Sequence, residues 1–170
     1  MKGLLAAAIL VWPIFVLAAG FQAIELSEDR ARLVITAADG QQFDAPKFSE
    51  QVEFGRPRVS ADGKYVGWLA LFPNCCTSYP IPLKLVVLDQ SRQLHSFEGI
   101  KISIFAWCFS PNSPSVAYRQ GVLHGSDFRH FELRSISGGR LLAEYDYPHE
   151  EAENIHARKH APSWVHCVPE

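Results

Sequence analysis

The chain has no cluster of lysine and arginine: 16 basic residues are scattered among 18 acidic ones, for a formal net charge of −2. A nucleic-acid backbone is therefore a poor partner, because binding it requires cations gathered on one surface. Long apolar runs at helical spacing are also missing, which leaves nothing from which to build a helical bundle. Neither a phosphate-cradling glycine loop nor a dinucleotide fingerprint occurs, and no cofactor is expected. Thioredoxin-type exchange lacks its C-x-x-C, a hydrolase its G-x-S-x-G elbow and a zinc protease its H-E-x-x-H.

What is present begins with Lys2, an apolar run from Leu4 to Leu17 and small residues at Ala18, Ala19 and Gly20, the layout of a secretory signal. Cleavage after Ala18 or Gly20 fits. The run to Phe21 approaches the roughly 17 residues that span a bilayer, but Pro13 and the small-residue end favour removal over an uncleaved anchor. The expected organisation is a signal peptide over 1–20 and one domain over 21–170, periplasmic or secreted, with no stable membrane insertion after cleavage. A chain of that length buries enough surface to fold without depending on staples. Cys75, Cys76, Cys108 and Cys167 all follow the signal, and an oxidising compartment allows two disulfides in three connectivities. The preferred pairing is Cys108 with Cys167, with Cys75 and Cys76 as a vicinal bridge or as free thiols.

The rest reads as strand and turn. Short runs of β-branched, leucine and aromatic residues alternate with Gly, Pro, Asn, Asp and Ser. Strands are expected at 32–35, 65–71, 84–88, 101–105, 115–118 and 130–134. Their connections are too short for crossover helices, so the sheets should be antiparallel.

There is internal self-similarity as well. Val59-Ser60-Ala61-Asp62-Gly63-Lys64-Tyr65-Val66-Gly67-Trp68 aligns with Phe109-Ser110-Pro111-Asn112-Ser113-Pro114-Ser115-Val116-Ala117-Tyr118 at an offset of fifty residues. Hairpins correspond too: Leu33 to Thr36 turning at Asp39-Gly40, Leu85 to Leu88 turning near Gln90-Ser91, and Phe131 to Arg134 turning at Gly138-Gly139. Ala161 to Val165 resembles a further opening strand, comparable to Phe105 to Cys108. These residues resemble the blades of TolB-type and WD-repeat-like β-propellers, in which a strand enters a Ser-Pro-Asp-Gly-like turn before three more strands.

The resemblance covers about residues 30–168. Its repeat-like units, about 57–100 and 106–146, are too few for a closed propeller. The expected fold is all-β, with antiparallel blade-like sheets in an open or sandwich arrangement and one short C-terminal helix. Pairing of the 31–43 hairpin with a strand around Trp164 would tie the termini together. The helix is expected after Pro148, with acidic Glu150, Glu151 and Glu153 in its first turns and Arg158 and Lys159 in its last.

Candidate functional residues fall in three places. The segment from Phe72 to Pro82 holds Asn74, Cys75, Cys76 and Tyr79 between two strands. The corresponding loop of the second unit carries His124 and Asp127, and the two loops could form a shared binding rim. Glu153, His156 and His160 share one face of the expected helix, which is the spacing of a metal site, although they also read as hydrated surface. Ser126 between His124 and Asp127 forms no relay by adjacency alone, so no catalytic residue is assigned. Trp68, Trp107 and Trp164 read as core anchors. The resulting functional expectation is an exported, non-catalytic binding domain whose partner is an unknown protein or envelope component. The alternative is a redox or metal-handling protein using Cys75, Cys76 and histidines.

Overall fold

The structure, a computed structural model, describes residues 20–100, 103–111, 114–123, 129–147 and 157–170. Period-two alternation in these short runs sends one set of side chains to each face of a strand. In Leu33–Ala37 it buries Leu33, Ile35 and Ala37. Three antiparallel sheets follow, each a meander, and none is closed into a barrel.

The first sheet holds β1 (Phe21–Leu26), β2 (Leu33–Ala37) and β3 (Gln42–Asp44), in that spatial order. The second holds β4 (Glu53–Val59), β5 (Tyr65–Phe72), β6 (Ile81–Asp89) and β7 (Leu94–Glu98). The third runs β8 (Ser103–Phe109), β9 (Ser115–Gly121), β10 (His130–Ser135) and β11 (Leu141–Asp146). Short connections leave each strand beside its chain neighbour, so the sequence order is the spatial order.

The sheets stack through two apolar layers. Phe21, Leu33, Ile35, Phe54, Val66 and Trp68 join the first to the second. Leu69, Leu85, Val87, Trp107, Val116 and Tyr118 join the second to the third. Gly67 permits the closest approach: a Cβ there would sit 2.7 Å from the Trp107 ring and 3.0 Å from the Val86 carbonyl oxygen. A bulge in β4 between Gly55 and Arg58 interrupts its ladder. Across the layer, the Arg56 carbonyl accepts the Trp107 indole N–H at 3.0 Å.

The outer face of the third sheet is closed by the C-terminal segment. Val165 and Val168 pack on Ala106, Ala117, Phe131 and Tyr147, and Cys167 lies at disulfide distance from Cys108 with Cα atoms 5.9 Å apart. The segment Ser163–Cys167 is a 3-10 turn, not the strand expected around Trp164. Pro162, with no N–H to give, leads into it, and Val165 and Val168 pack onto the face of the third sheet instead of along one of its edges. It cannot pair with the 31–43 hairpin, which belongs to the first sheet. Of the expected C-terminal helix, residues 148–156 lie outside those described, and Ala157–His160 is one 3-10 turn.

Candidate functional site

A cleft forms where two hairpin turns face each other at one end of the second and third sheets. Between β4 and β5, the Ser60 hydroxyl donates to Asp62 Oδ1 at 2.7 Å and accepts the Tyr65 N–H at 2.9 Å. Asp62 Oδ1 also accepts the Lys64 N–H at 3.1 Å, and the Lys64 ammonium lies 3.3 Å from Oδ2. The Ser60 hydroxyl, joined by the Lys64 amide and ammonium, holds the Asp62 carboxyl below its usual range. Ser-x-Asp recurs at Ser27 and Asp29, where the hydroxyl-to-carboxylate distance is 2.6 Å. It is therefore a local solution for a tight turn.

Between β8 and β9, the Ser110 N–H donates to the Ser115 carbonyl at 2.9 Å, matching the Ser60-to-Tyr65 bond of 2.8 Å fifty residues earlier. The flanking pairs Val59–Val66 and Phe109–Val116 keep the same offset. A cleft of about 830 Å³ lies between the two turns. Tyr65 and Phe109, with ring centroids 6.3 Å apart, lie in its lining, which also holds Pro111 and Pro114. Arg58 and Lys64 supply its cations, and both Cys108 and Cys167 line the wall formed by the C-terminal segment.

Asn74, Cys75, Cys76 and Tyr79 are elsewhere, in the β5–β6 loop at the far end of β5 from this cleft. Cys75 and Cys76 are exposed and at disulfide distance from each other, and Tyr79 is 51 % exposed. Asn74 donates to the Thr77 hydroxyl at 3.1 Å, and that hydroxyl donates to the Tyr79 carbonyl at 2.6 Å. His124 and Asp127 lie outside the described residues, as do Glu153 and His156; His160 is exposed. Among the described residues no three His, Cys, Asp or Glu side chains are placed to hold a metal.

A buried polar network that sequence reasoning missed sits on the face of the third sheet turned toward the second. Glu132, 1 % exposed, accepts from the Tyr118 hydroxyl at 2.6 Å, from Gln120 at 2.8 Å and from Arg134. His130 Nε2 stands 3.3 Å from Glu132, and its Nδ1 stands 2.5 Å from Asp146. Burial pushes the Glu132 carboxyl up, but hydrogen bonds from Arg134, Tyr118 and Gln120 outweigh it and hold it below its ordinary value. Burial, then donation to Glu132, raises the Tyr118 phenol. These donors occupy both carboxylate oxygens, so the cluster braces the sheet. Its one sequence signal is the alternation His130-x-Glu132-x-Arg134, which puts three ionisable groups on one face of a strand.

No protein-family model matches the chain, and no curated protein matches it in sequence.

Proposed function

We propose that this chain is an exported binding domain that recognises a protein or cell-envelope component through the cleft between the β4–β5 and β8–β9 turns. The observation carrying this reading is how the lining uses its polar groups. Ser60 and Asp62 are committed to each other and to the backbone of their turn, which makes them framework. What the cleft offers an incoming chain is an aromatic and proline surface beside Arg58 and the exposed Lys64 ammonium, which is paired on one side with Asp62. That suits an extended partner segment with an apolar ring or proline for Tyr65 and Phe109 and a carboxylate for Arg58 or Lys64.

Export is supported by the signal-like first residues and by two cysteine pairs at disulfide distance. Within this reading, two contacts of Gly20 bear on the cleavage point. The Gly20 carbonyl accepts the Ala38 N–H at 3.0 Å, and a Cβ at position 20 would meet the Gly63 carbonyl oxygen at 2.9 Å. Gly20 is therefore part of the first sheet's framework, which favours cleavage after Ala18 over cleavage after Gly20. The three stacked meanders and the fifty-residue offset kept in their hydrogen bonds support reading them as blade-like units in an open arc.

The test is recovery of the tagged full chain from its native envelope, comparing wild type with the Arg58→Glu/Lys64→Glu double variant. The reading expects a mature protein beginning at Ala19, with a partner whose recovery falls at least about tenfold in the variant while the melting curve is unchanged. Equal recovery by both proteins removes the cleft from recognition, and an uncleaved cytoplasmic chain removes export.

A further inference from the structure

The two cysteine pairs are not alike, and the difference points to chemistry that the cleft does not use. Cys108 and Cys167 are 59 residues apart in sequence, and the bond between them closes a long loop over a packed face. Cys75 and Cys76 are neighbours, with Cα atoms 3.8 Å apart, the spacing of a single peptide link. A bond between them encloses no chain and so removes none of the loop entropy through which a disulfide stabilises a fold. It also lies outside both inter-sheet layers and the cluster beneath the C-terminal segment, on an exposed loop between Pro73 and Pro80. Stability gives no reason for the pair, while exposure gives a soluble thiol direct access to both sulfurs.

We propose that Cys75–Cys76 is a reversible two-electron redox site whose reductant is a dithiol. One thiolate of the donor attacks either sulfur, the Cys75–Cys76 bond breaks, and the displaced sulfur leaves as a thiolate that takes up a proton. The donor's second thiol then attacks its own sulfur in the mixed disulfide and releases the other protein thiol. The protein gains two electrons and two protons, and the donor becomes a disulfide. The absence of a basic neighbour in the Phe72–Pro82 segment does not hinder this direction, because the attacking thiolate belongs to the donor. Opening the bond frees the peptide between the two residues and leaves the loop held by Asn74, Thr77 and Tyr79.

The experiment equilibrates the purified oxidised protein with graded ratios of reduced to oxidised dithiothreitol, alkylates it and maps the peptides. Cys75 and Cys76 should become alkylated together at a ratio about a thousandfold lower than Cys108 and Cys167 require, the ratio equivalent to the loop-closure difference. Far-UV circular dichroism should not change, and the pair should reclose in oxidised dithiothreitol. Opening of both pairs at one ratio, or opening only with unfolding, overturns the proposal. The Cys75→Ser/Cys76→Ser variant should melt within about 2 °C of wild type, since one kcal/mol would move the midpoint by several degrees; a larger fall makes the pair a structural brace and overturns it. Acid-quenched alkylation of protein from its native envelope should find a reduced fraction at Cys75 and Cys76 beside fully oxidised Cys108 and Cys167. Complete oxidation of both pairs under every growth condition also overturns it.

Discussion

The two faces of the third sheet are both covered, yet by different chemistry. Toward the second sheet it presents Trp107, Val116 and Tyr118 together with the ionic cluster around Glu132. Toward the C-terminal segment it presents Ala106, Ala117, Phe131 and Tyr147, and the contact is pinned by Cys108 and Cys167. The first face meets a sheet with a ladder and a layer of its own. The second meets an irregular segment of 3-10 turns that has no ladder to hold it in register. A covalent tie is needed only where the backbone supplies no partner strand. An ion network, in turn, is tolerable where a full sheet shields it and its own members satisfy one another, as Tyr118, Gln120 and Arg134 do around Glu132.

Breaking the network should have the largest effect. Glu132→Ala leaves the buried Tyr118 and His130 and the half-buried Arg134 around a missing carboxylate, and unfolding in urea should show a loss of about 3–5 kcal/mol. Replacing Cys108 and Cys167 with alanine should cost about 2–4 kcal/mol by the same measurement, since the loop-closure estimate for 59 residues is about 4 kcal/mol. That variant should also lose protection from hydrogen exchange in the 161–168 segment first, with the β9 and β10 amides following only at global unfolding. Gly67→Ala pushes a methyl group against Trp107 and should cost about 1–3 kcal/mol, felt between the second and third sheets while the capped face keeps its protection.

The smallest effect, and the one that separates the faces most cleanly, is the response to acid. Glu132 has a folded value below its ordinary 4.5. The stability it contributes is complete above the unfolded value and is lost as the pH falls through the folded one. Melting midpoints should therefore hold from neutral pH down to about 5 and drop below it, as Glu132 takes a proton among Tyr118, Gln120, His130, Arg134 and the neighbouring Asp146. Glu132→Gln should shrink that drop, leaving the part due to other lowered carboxylates such as Asp62 and Asp89, whereas the variant without Cys108 and Cys167 should keep it in full.

Much of the sheet structure was legible in the residues. Asp39-Gly40 and Gly138-Gly139 marked hairpins that close β2 on β3 and β10 on β11, because turn residues and alternation are local signals. Phe21–Leu26 gives no separate strand signal, since its apolar residues follow directly on the signal-like run. Ala161 to Val165 has the composition of a strand, but Val165 is spent on the face of the third sheet instead of along an edge, and composition does not record which. The Glu132 network was hidden for a related reason: alternation places His130, Glu132 and Arg134 on one face without saying what covers it. The cleft is a composite of two turns fifty residues apart, and neither Ser60-Ala61-Asp62-Gly63 nor Ser110-Pro111 is unusual alone. Asn74 through Tyr79, whose adjacent cysteines do stand out in sequence, lie at the opposite end of β5.

The two ends of the sheets can be set against each other in one experiment. A photo-crosslinking residue placed at Lys64, in the cleft, or at Tyr79, in the exposed loop, is irradiated in the native envelope. One discrete cross-linked species should form from position 64, be lost in the Arg58→Glu background, and be absent from position 79. A species from position 79 with none from 64 would contradict recognition through the cleft and move it to the Cys75–Cys76 loop.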